Sequence, residues 1–151
     1  MELNIRRFDE LTADELYEIL KLRSAVFVVE QSCAYQDIDG LDRAAYHVWL
    51  SDEAGIAAYL RILPPGTVYD DPAIGRVISV RRRCGIGSKI MREALSALQR
   101  LYRADTVTIE AQLYAKPFYE RLGFTQISDE FDEDGIPHIL MKWHDSDKKT
   151  E

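Results

Sequence analysis

The chain has 151 residues, 46% of them hydrophobic and 30% charged, with a formal net charge of -7. Length and composition are typical of one soluble globular domain, and the acidic balance disfavours attraction to nucleic acid or to an anionic membrane. No apolar window is long enough to span a membrane, and residues 1–15 lack the basic and then apolar order of a signal peptide.

The first predicted elements are a strand and a helix. Leu3–Phe8 alternates apolar and polar residues, as a half-buried strand does. Thr12 and Glu15 match the S/T-x-x-E capping box, and the apolar residues behind them predict a helix of about 15 to 20 residues. Residues 31–44 are aperiodic and rich in aspartate, which predicts a long loop.

The rest of the chain predicts a mixed α/β domain over residues 1–144, followed by a frayed polar tail over 145–151. Apolar residues spaced by three and four predict one amphipathic helix, and alternating runs predict strands. In chain order these elements are strands over 45–50, 55–63 and 74–80, a helix over 86–102, a strand over 105–112, a helix over 115–124, and a hairpin of 125–131 with 136–144.

Residues 80–89, VRRRCGIGSK, place three arginines beside two glycines where a strand leads into a helix. Such a turn offers backbone N–H groups and the positive end of a helix dipole to an anion. The spacing fits neither a P-loop nor a dinucleotide fingerprint, since Ile90 stands where the third glycine belongs. Three interpretations stay open: nucleic-acid contact, which the net charge disfavours, a phosphate-bearing cofactor, and a solvated turn.

Arg82, Gly85 and Gly87 of this stretch resemble the [QR]-x-x-G-x-[GA] motif of the GNAT superfamily of N-acetyltransferases. A second stretch, QLYAKPFYERLGF, matches the superfamily's N-x-x-A-x-x-F-Y-E-x-x-G-F, with Gln112 in place of asparagine. Residues 23–47 resemble the ElaA-like branch, which shares the pattern F-V-x-E-Q-x-C-x-Y-x-D-x-D-G-x-D. The predicted element order is also that of the GNAT fold, so the resemblance covers nearly the whole chain.

The resemblance implies an α/β (α+β) acyl-CoA N-acyltransferase fold, with a mostly antiparallel mixed sheet that splays between its fourth and fifth strands and is flanked by helices. It implies an N-acetyltransferase that uses acetyl-CoA as cosubstrate and no metal, and that acetylates a primary amine by direct attack in a ternary complex. A non-catalytic acyl-CoA sensor is the alternative. The final strands commonly pair between subunits in this fold, which would give a homodimer.

The same resemblance implies the cofactor site. The pantetheine arm would pair with the fourth strand in the split, and the pyrophosphate would accept bonds from amides at the start of the following helix. Which arginine faces the pyrophosphate stays open, because the loop before Arg82 is about two residues shorter than usual in the superfamily. The candidate cofactor-binding residues are Ile78, Val80, Arg82, Arg83, Gly85, Ile86, Gly87, Ser88, Gln112 and Phe118.

Three side chains are candidates for the chemistry. The resemblance places Tyr119 as the general acid that protonates the departing thiolate, with an ordinary core aromatic as the alternative. Glu110 and His47 are candidates for the base that deprotonates the amine. Glu110 could equally hold a loop through an ion pair, and His47 could equally be a hydrogen-bonded structural residue.

The aspartate-rich loop is the candidate acceptor site. Glu30, Tyr35 and Asp39 are its candidate substrate residues, since local negative potential would attract a cationic amine. The alternative is that these aspartates only form turns, and the spacing excludes an EF-hand. Cys33 and Cys84 are too few for a disulfide framework, which predicts free thiols and a cytoplasmic setting.

Overall fold

The computed structural model describes residues 1–81 and 84–146. None of the helices in these two ranges is long and apolar enough to cross a membrane. The strands are β1 (Glu2–Arg7), β2 (Tyr46–Asp52), β3 (Gly55–Leu63), β4 (Ala73–Ser79), β5 (Thr106–Gln112), β6 (Phe124–Gln126), β7 (Phe131–Glu133) and β8 (Ile136–His144), and the α-helices are α1 (Ala13–Arg23), α2 (Ile86–Tyr102) and α3 (Lys116–Arg121).

Helix α1 begins at the predicted capping box. The Thr12 hydroxyl accepts a bond from the Glu15 N–H at 3.1 Å, and the Glu15 carboxylate accepts one from the Thr12 N–H at 2.9 Å. The 11 residues of α1 run into a π-helical segment of 7 residues, Ser24–Glu30, so the two together have the predicted length. No local pattern of residues 24–30 indicated the wider turn of this segment.

The strands form one mixed sheet in the order β1-β2-β3-β4-β5-β8-β6, with β7 also paired to β8. Only the β4–β5 pair is parallel among these described strands, and its register is limited to Ala73 opposite Thr108. Beyond that point the two strands separate. The fold is therefore the predicted acyltransferase fold, with its sheet open between β4 and β5.

The predicted strand over 125–131 is instead divided into β6 and β7. The Ile127 N–H donates to the Leu140 carbonyl at 2.9 Å, but the Leu140 N–H donates to the Ser128 hydroxyl at 2.9 Å. A side chain thus takes the place of a backbone partner, and the strand bulges away from β8 before pairing resumes.

Both faces of the sheet are covered. The apolar stripe of α2 packs on one face, where Ile90, Met91 and Leu98 are fully buried. Ile19 of α1 packs on the other face, in a cluster with Tyr59 and Ile78. Asp145, the first residue of the predicted frayed tail, packs against the domain and is only 8% exposed. Its N–H donates to the Asp105 carbonyl, and its carboxylate accepts a bond from the Gln99 amide.

Candidate functional site

The open split between β4 and β5 exposes backbone groups on the facing edges of both strands. The Val80 N–H donates to the Ala57 carbonyl of β3 at 2.9 Å. Since backbone groups alternate in direction along a strand, those of Ser79 face the split, whereas those of Ile78 point to β3. This differs from the prediction that Ile78 and Val80 present their backbone groups there.

Helix α2 starts beside this edge with an anion-binding geometry. Gly85 precedes the helix in the left-handed conformation, with φ +74°, which a glycine adopts without strain. The Lys89 N–H bonds the Gly85 carbonyl at 3.0 Å, which leaves the N–H groups of Ile86, Gly87 and Ser88 without intrahelical acceptors. Three amides therefore point outward at the positive end of a 17-residue helix.

Gly87 lets three elements meet at this point. A Cβ placed on Gly87 would lie 3.4 Å from Phe118 Cζ in α3 and 3.8 Å from Ser79 Cβ in β4. A longer side chain would displace the Phe118 ring. The structure thus brings together the predicted residues of the α2 turn and Phe118, with Ser79 as an addition that the sequence did not indicate.

The arginines of the same stretch are only partly described. Arg82 and Arg83, two of the predicted cofactor-binding residues, lie outside the described residues. Arg81 forms an ion pair with Asp52 of the β2–β3 hairpin. Arg81 is therefore tied to a neighbouring turn.

Tyr119 lies in α3 with its ring between two aromatic neighbours. The ring contacts Phe118 and Phe124 edge to face, with centroid distances of 5.0 Å and 5.8 Å. None of the groups in the described ranges forms a hydrogen bond with its hydroxyl. Burial, with a smaller effect of Tyr114, raises the pKa of Tyr119 well above its usual range. The hydroxyl is thus protonated at neutral pH.

Gln112 and Glu110 lie on the face of β5 opposite α2. The Gln112 amide donates to the side-chain oxygen of Gln31 at 3.3 Å, so it is joined to the end of the π-helical segment that follows α1. Glu110 is exposed, yet its pKa is raised, first by partial loss of hydration and then by the negative charge of Glu133. The tip of the β7–β8 hairpin therefore brings a second carboxylate toward Glu110, and Cys33 contacts the same tip at Asp134.

His47 is fully buried in β2, away from solvent. Its Nε2 lies 3.0 Å from the Asp42 carbonyl, which can only accept, so Nε2 carries the proton. Nδ1 then accepts from the Tyr59 hydroxyl at 2.8 Å. Burial lowers the pKa of this imidazole. With both nitrogens engaged, His47 fits the structural alternative, and the geometry does not favour it as the base.

The aspartates of the loop form a partly buried cluster with three arginines, which we call the arginine–aspartate cluster. Arg23 bonds Asp37 at 3.0 Å and Asp42 at 2.6 Å, and Arg61 bonds Asp39 at 2.6 Å. Further bonds join Arg61 to Asp42 and Arg76 to Asp37 and Asp39. Its members are Arg23, Arg61, Arg76, Asp37, Asp39 and Asp42.

This cluster changes the interpretation of the acceptor loop. Burial alone would raise the pKa of Asp39, but hydrogen bonds from Arg61 and the Leu41 N–H lower it well below its usual range. Because three arginines balance three aspartates, the loop has no excess negative charge at these positions to attract a cationic amine. The Tyr35 hydroxyl also bonds the cluster, since it donates to Asp37 at 2.9 Å. Glu30 is exposed and lies at the end of the π-helical segment.

Two signals in the sequence could have revealed this cluster. Arg23 lies on the apolar stripe of the first predicted helix, and Arg61 lies within the apolar run GIAAYLRIL. An arginine at a core position needs a carboxylate partner, and the loop supplies three of them.

Comparisons with known proteins place this geometry in a family. The model of the acetyltransferase (GNAT) domain matches residues 20–144, so the chain belongs to the GNAT acetyltransferase family. Protein ElaA of Escherichia coli K12 is 40% identical over 138 residues, covering 87% of this chain and 89% of ElaA.

Solved structures agree with this assignment. The crystal structure of Escherichia coli ElaA superposes with a TM-score of 0.88 at 35% identity, covering 95% of this chain and 99% of that one. An acyl-CoA N-acyltransferase from Pseudomonas aeruginosa gives a TM-score of 0.89 at 38% identity, with the same coverage of both chains. Within the GNAT family, the chain falls in the ElaA-like branch.

Proposed function

We propose that this protein is an N-acetyltransferase that transfers the acetyl group of acetyl-CoA to a primary amine of a small molecule or peptide. One observation carries the proposal: the start of α2, whose first amides have no intrahelical acceptor, adjoins β4 at Ser79, beyond the point where β4 pairs with β5 among the described residues. This edge of β4 can pair with the amide groups of the pantetheine arm of acetyl-CoA. The amides of Ile86, Gly87 and Ser88 would bind the pyrophosphate of the same cosubstrate.

The acetyl transfer itself needs few protein groups. The neutral amine attacks the thioester carbonyl, the C–N bond forms as the C–S bond breaks, and the thiolate leaves. Tyr119 would donate its proton to the sulfur, since its hydroxyl is protonated and bonds none of the described residues. Glu110 is our candidate for the base that takes the amine proton, because it is exposed on β5 and its pKa is raised.

The acceptor side would be formed by the loop over 31–44 and the tip of the β7–β8 hairpin. The contact of Cys33 with Asp134 joins these two segments. With Asp39 bound to Arg61 and Arg76, we assign it a structural role and place the attraction for an amine at Glu110 and Glu133.

The setting of the protein follows from the same features. Neither Cys33 nor Cys84 forms a disulfide, which suits the reducing cytoplasm that we propose. We also propose that residues 1–144 act as a single acetyltransferase domain, and that the outer strands β6 and β7, which pair with β8, are where two copies would pair. The arrangement that we propose requires no metal.

Isothermal titration with acetyl-CoA and with free coenzyme A tests the cofactor site. Gly85→Glu strains the left-handed turn and adds a negative charge beside the phosphates, and we expect it to weaken binding about tenfold or more. Gly66→Glu is the matched control, since Gly66 has φ +81° and open space around it in a different loop. Absence of binding by the unmodified protein would contradict the proposal.

The alternative function is a sensor that binds acyl-CoA without turnover. Phe118 of α3 lies against Gly87 at the start of α2, and the hydroxyl of the adjacent Tyr119 bonds none of the described residues, which favours the enzyme. Release of free thiol from acetyl-CoA, measured with a panel of amines, separates the two, because a sensor binds acetyl-CoA but releases no thiol.

A further inference from the structure

We propose that Arg76 is a positioning residue, which holds β4 in the bulged shape that presents Ser79 to the split. This inference rests on the proposed function, since the split is taken as the acyl-CoA site. It assigns a role to an arginine that the sequence did not single out.

The first observation is the shape of β4 itself. Tyr59 of β3 lies opposite Ile78, but Arg61 lies opposite Gly75, so β4 has one residue more than β3 over this span. This is a β-bulge, and it contains Arg76 in the left-handed conformation, with φ +55°. The left-handed conformation strains the backbone of a residue that has a side chain, but not that of glycine.

The second observation is that the Arg76 side chain is held firmly on the acceptor side. Its Nε donates to Asp37 Oδ1 at 2.7 Å, and its Nη2 donates to the Asp37 carbonyl at 3.1 Å and to Asp39 at 3.3 Å. The guanidinium also lies 5.5 Å from the centroid of the Tyr35 ring. These contacts can offset the strain of the backbone.

The position of the bulge gives it a consequence for the split. Pairing of β4 with β5 is limited to Ala73 opposite Thr108, so the bulge lies where the two strands separate. If Arg76 relaxed to an extended conformation, the register of the following residues would shift by one. Such a shift would exchange the directions of Ile78 and Ser79, and would remove Ile78, now 3% exposed, from the core.

Arg76 is the most exposed arginine of the cluster, so solvent screens the negative charge that its removal leaves. Asp37 also bonds Arg23 at 3.0 Å, and Asp39 also bonds Arg61 at 2.6 Å. Removal of Arg76 therefore leaves both carboxylates with an arginine partner, and we expect the fold to persist. The distinct effect of Arg76 is to fix the backbone at the bulge.

The test compares Arg76→Ala with Arg76→Gly. Both variants lose the guanidinium, but only glycine occupies the left-handed conformation without strain. We expect Arg76→Ala to bind acetyl-CoA about tenfold more weakly and Arg76→Gly to retain part of that affinity. A role through charge alone would weaken both variants equally.

Arg103 supplies the matched control. It is also an arginine in the left-handed conformation, with φ +51°, and it ends α2 in an exposed position away from the bulge. Arg103→Ala and Arg103→Gly make the same two changes there. We expect neither to alter the affinity for acetyl-CoA.

Hydrogen–deuterium exchange measures the stability of the backbone hydrogen bonds around the bulge in the absence of ligand. Exchange over residues 73–81, which include the Val80 N–H bonded to Ala57, should accelerate in Arg76→Ala and less in Arg76→Gly, while β1 and β2 stay unchanged. Equal behaviour of the two Arg76 variants, or unchanged exchange in Arg76→Ala, would overturn the inference. Failure of the unmodified protein to bind acetyl-CoA would instead overturn the proposed function, and the exchange result would still decide the role of Arg76.

Discussion

The proposed cofactor side of the split consists of residues close together in the sequence, whereas the proposed acceptor side consists of residues far apart. On the cofactor side, Ser79 and residues 85–88 bring backbone groups to one point through the end of β4 and the start of α2. On the acceptor side, Arg23 of α1, Arg61 of β3 and Arg76 of β4 hold one loop through its aspartates.

The difference determines what each side can tolerate. Backbone amides bind an anion whatever the neighbouring side chains are, so the cofactor side depends on glycine and on helix geometry. The acceptor side depends on buried ion pairs, in which the loss of one partner leaves the other unbalanced. Substitutions should therefore affect affinity on the first side and stability on the second, except at Arg76, which is expected to act on affinity through the bulge of β4.

The largest effect on stability is expected for Arg23→Met. Arg23 is fully buried and bonds both Asp37 and Asp42, so its loss leaves an excess negative charge inside the cluster. We expect the free energy of unfolding to fall by about 3–5 kcal/mol, measured by urea denaturation. Arg7→Met is the control, because its ion pairs are exposed and should contribute less than about 1 kcal/mol. Equal losses would contradict the structural role of the cluster.

A smaller effect is expected from His47 as the pH falls. Its pKa is lowered in the folded protein, so below the ordinary value of about 6.5 the unfolded state binds more protons and stability decreases. The slope is at most about 1.4 kcal/mol per pH unit, between that value and the lowered pKa. His47→Gln should remove this slope in denaturation curves, whereas His144→Gln, at an exposed position, should keep it.

The smallest effect is expected for Glu133→Gln. Partial loss of hydration raises the pKa of Glu110 first, and the charge of Glu133 raises it further. Removal of that charge should move the acidic limb of the pH profile of kcat/KM to lower pH. Because loss of hydration remains, the pKa of Glu110 should still exceed that of an ordinary glutamate. Glu130→Gln, in the same acidic segment, is the comparison. An acidic limb that does not move would contradict an effect of Glu133 on the pKa of the catalytic base.

The same division explains what the sequence could predict. The capping box at Thr12 and the apolar spacing of residues 86–102 are local signals, and α1 and α2 begin where they indicate. The family and the open sheet were also predicted correctly, from motifs of contiguous residues.

Features that depend on distant partners were not predicted. The bulge at Arg76 is held by Asp37 and Asp39, which lie in another part of the chain, and no local pattern reveals it. The pairing of Ile78 and Val80 with β3, and of neither with the split, depends on the register that β4 takes after this bulge. The interruption between β6 and β7 likewise depends on the bond between Ser128 and Leu140.

The most direct test of the account is thiol release from acetyl-CoA with an amine panel, compared between the unmodified protein and Tyr119→Phe. The account predicts amine-dependent release that falls about a hundredfold in Tyr119→Phe, with unchanged affinity for acetyl-CoA by titration. Equal rates in the two proteins would contradict Tyr119 as the acid. Binding of acetyl-CoA without release for any amine in the panel would contradict the transferase and favour the sensor.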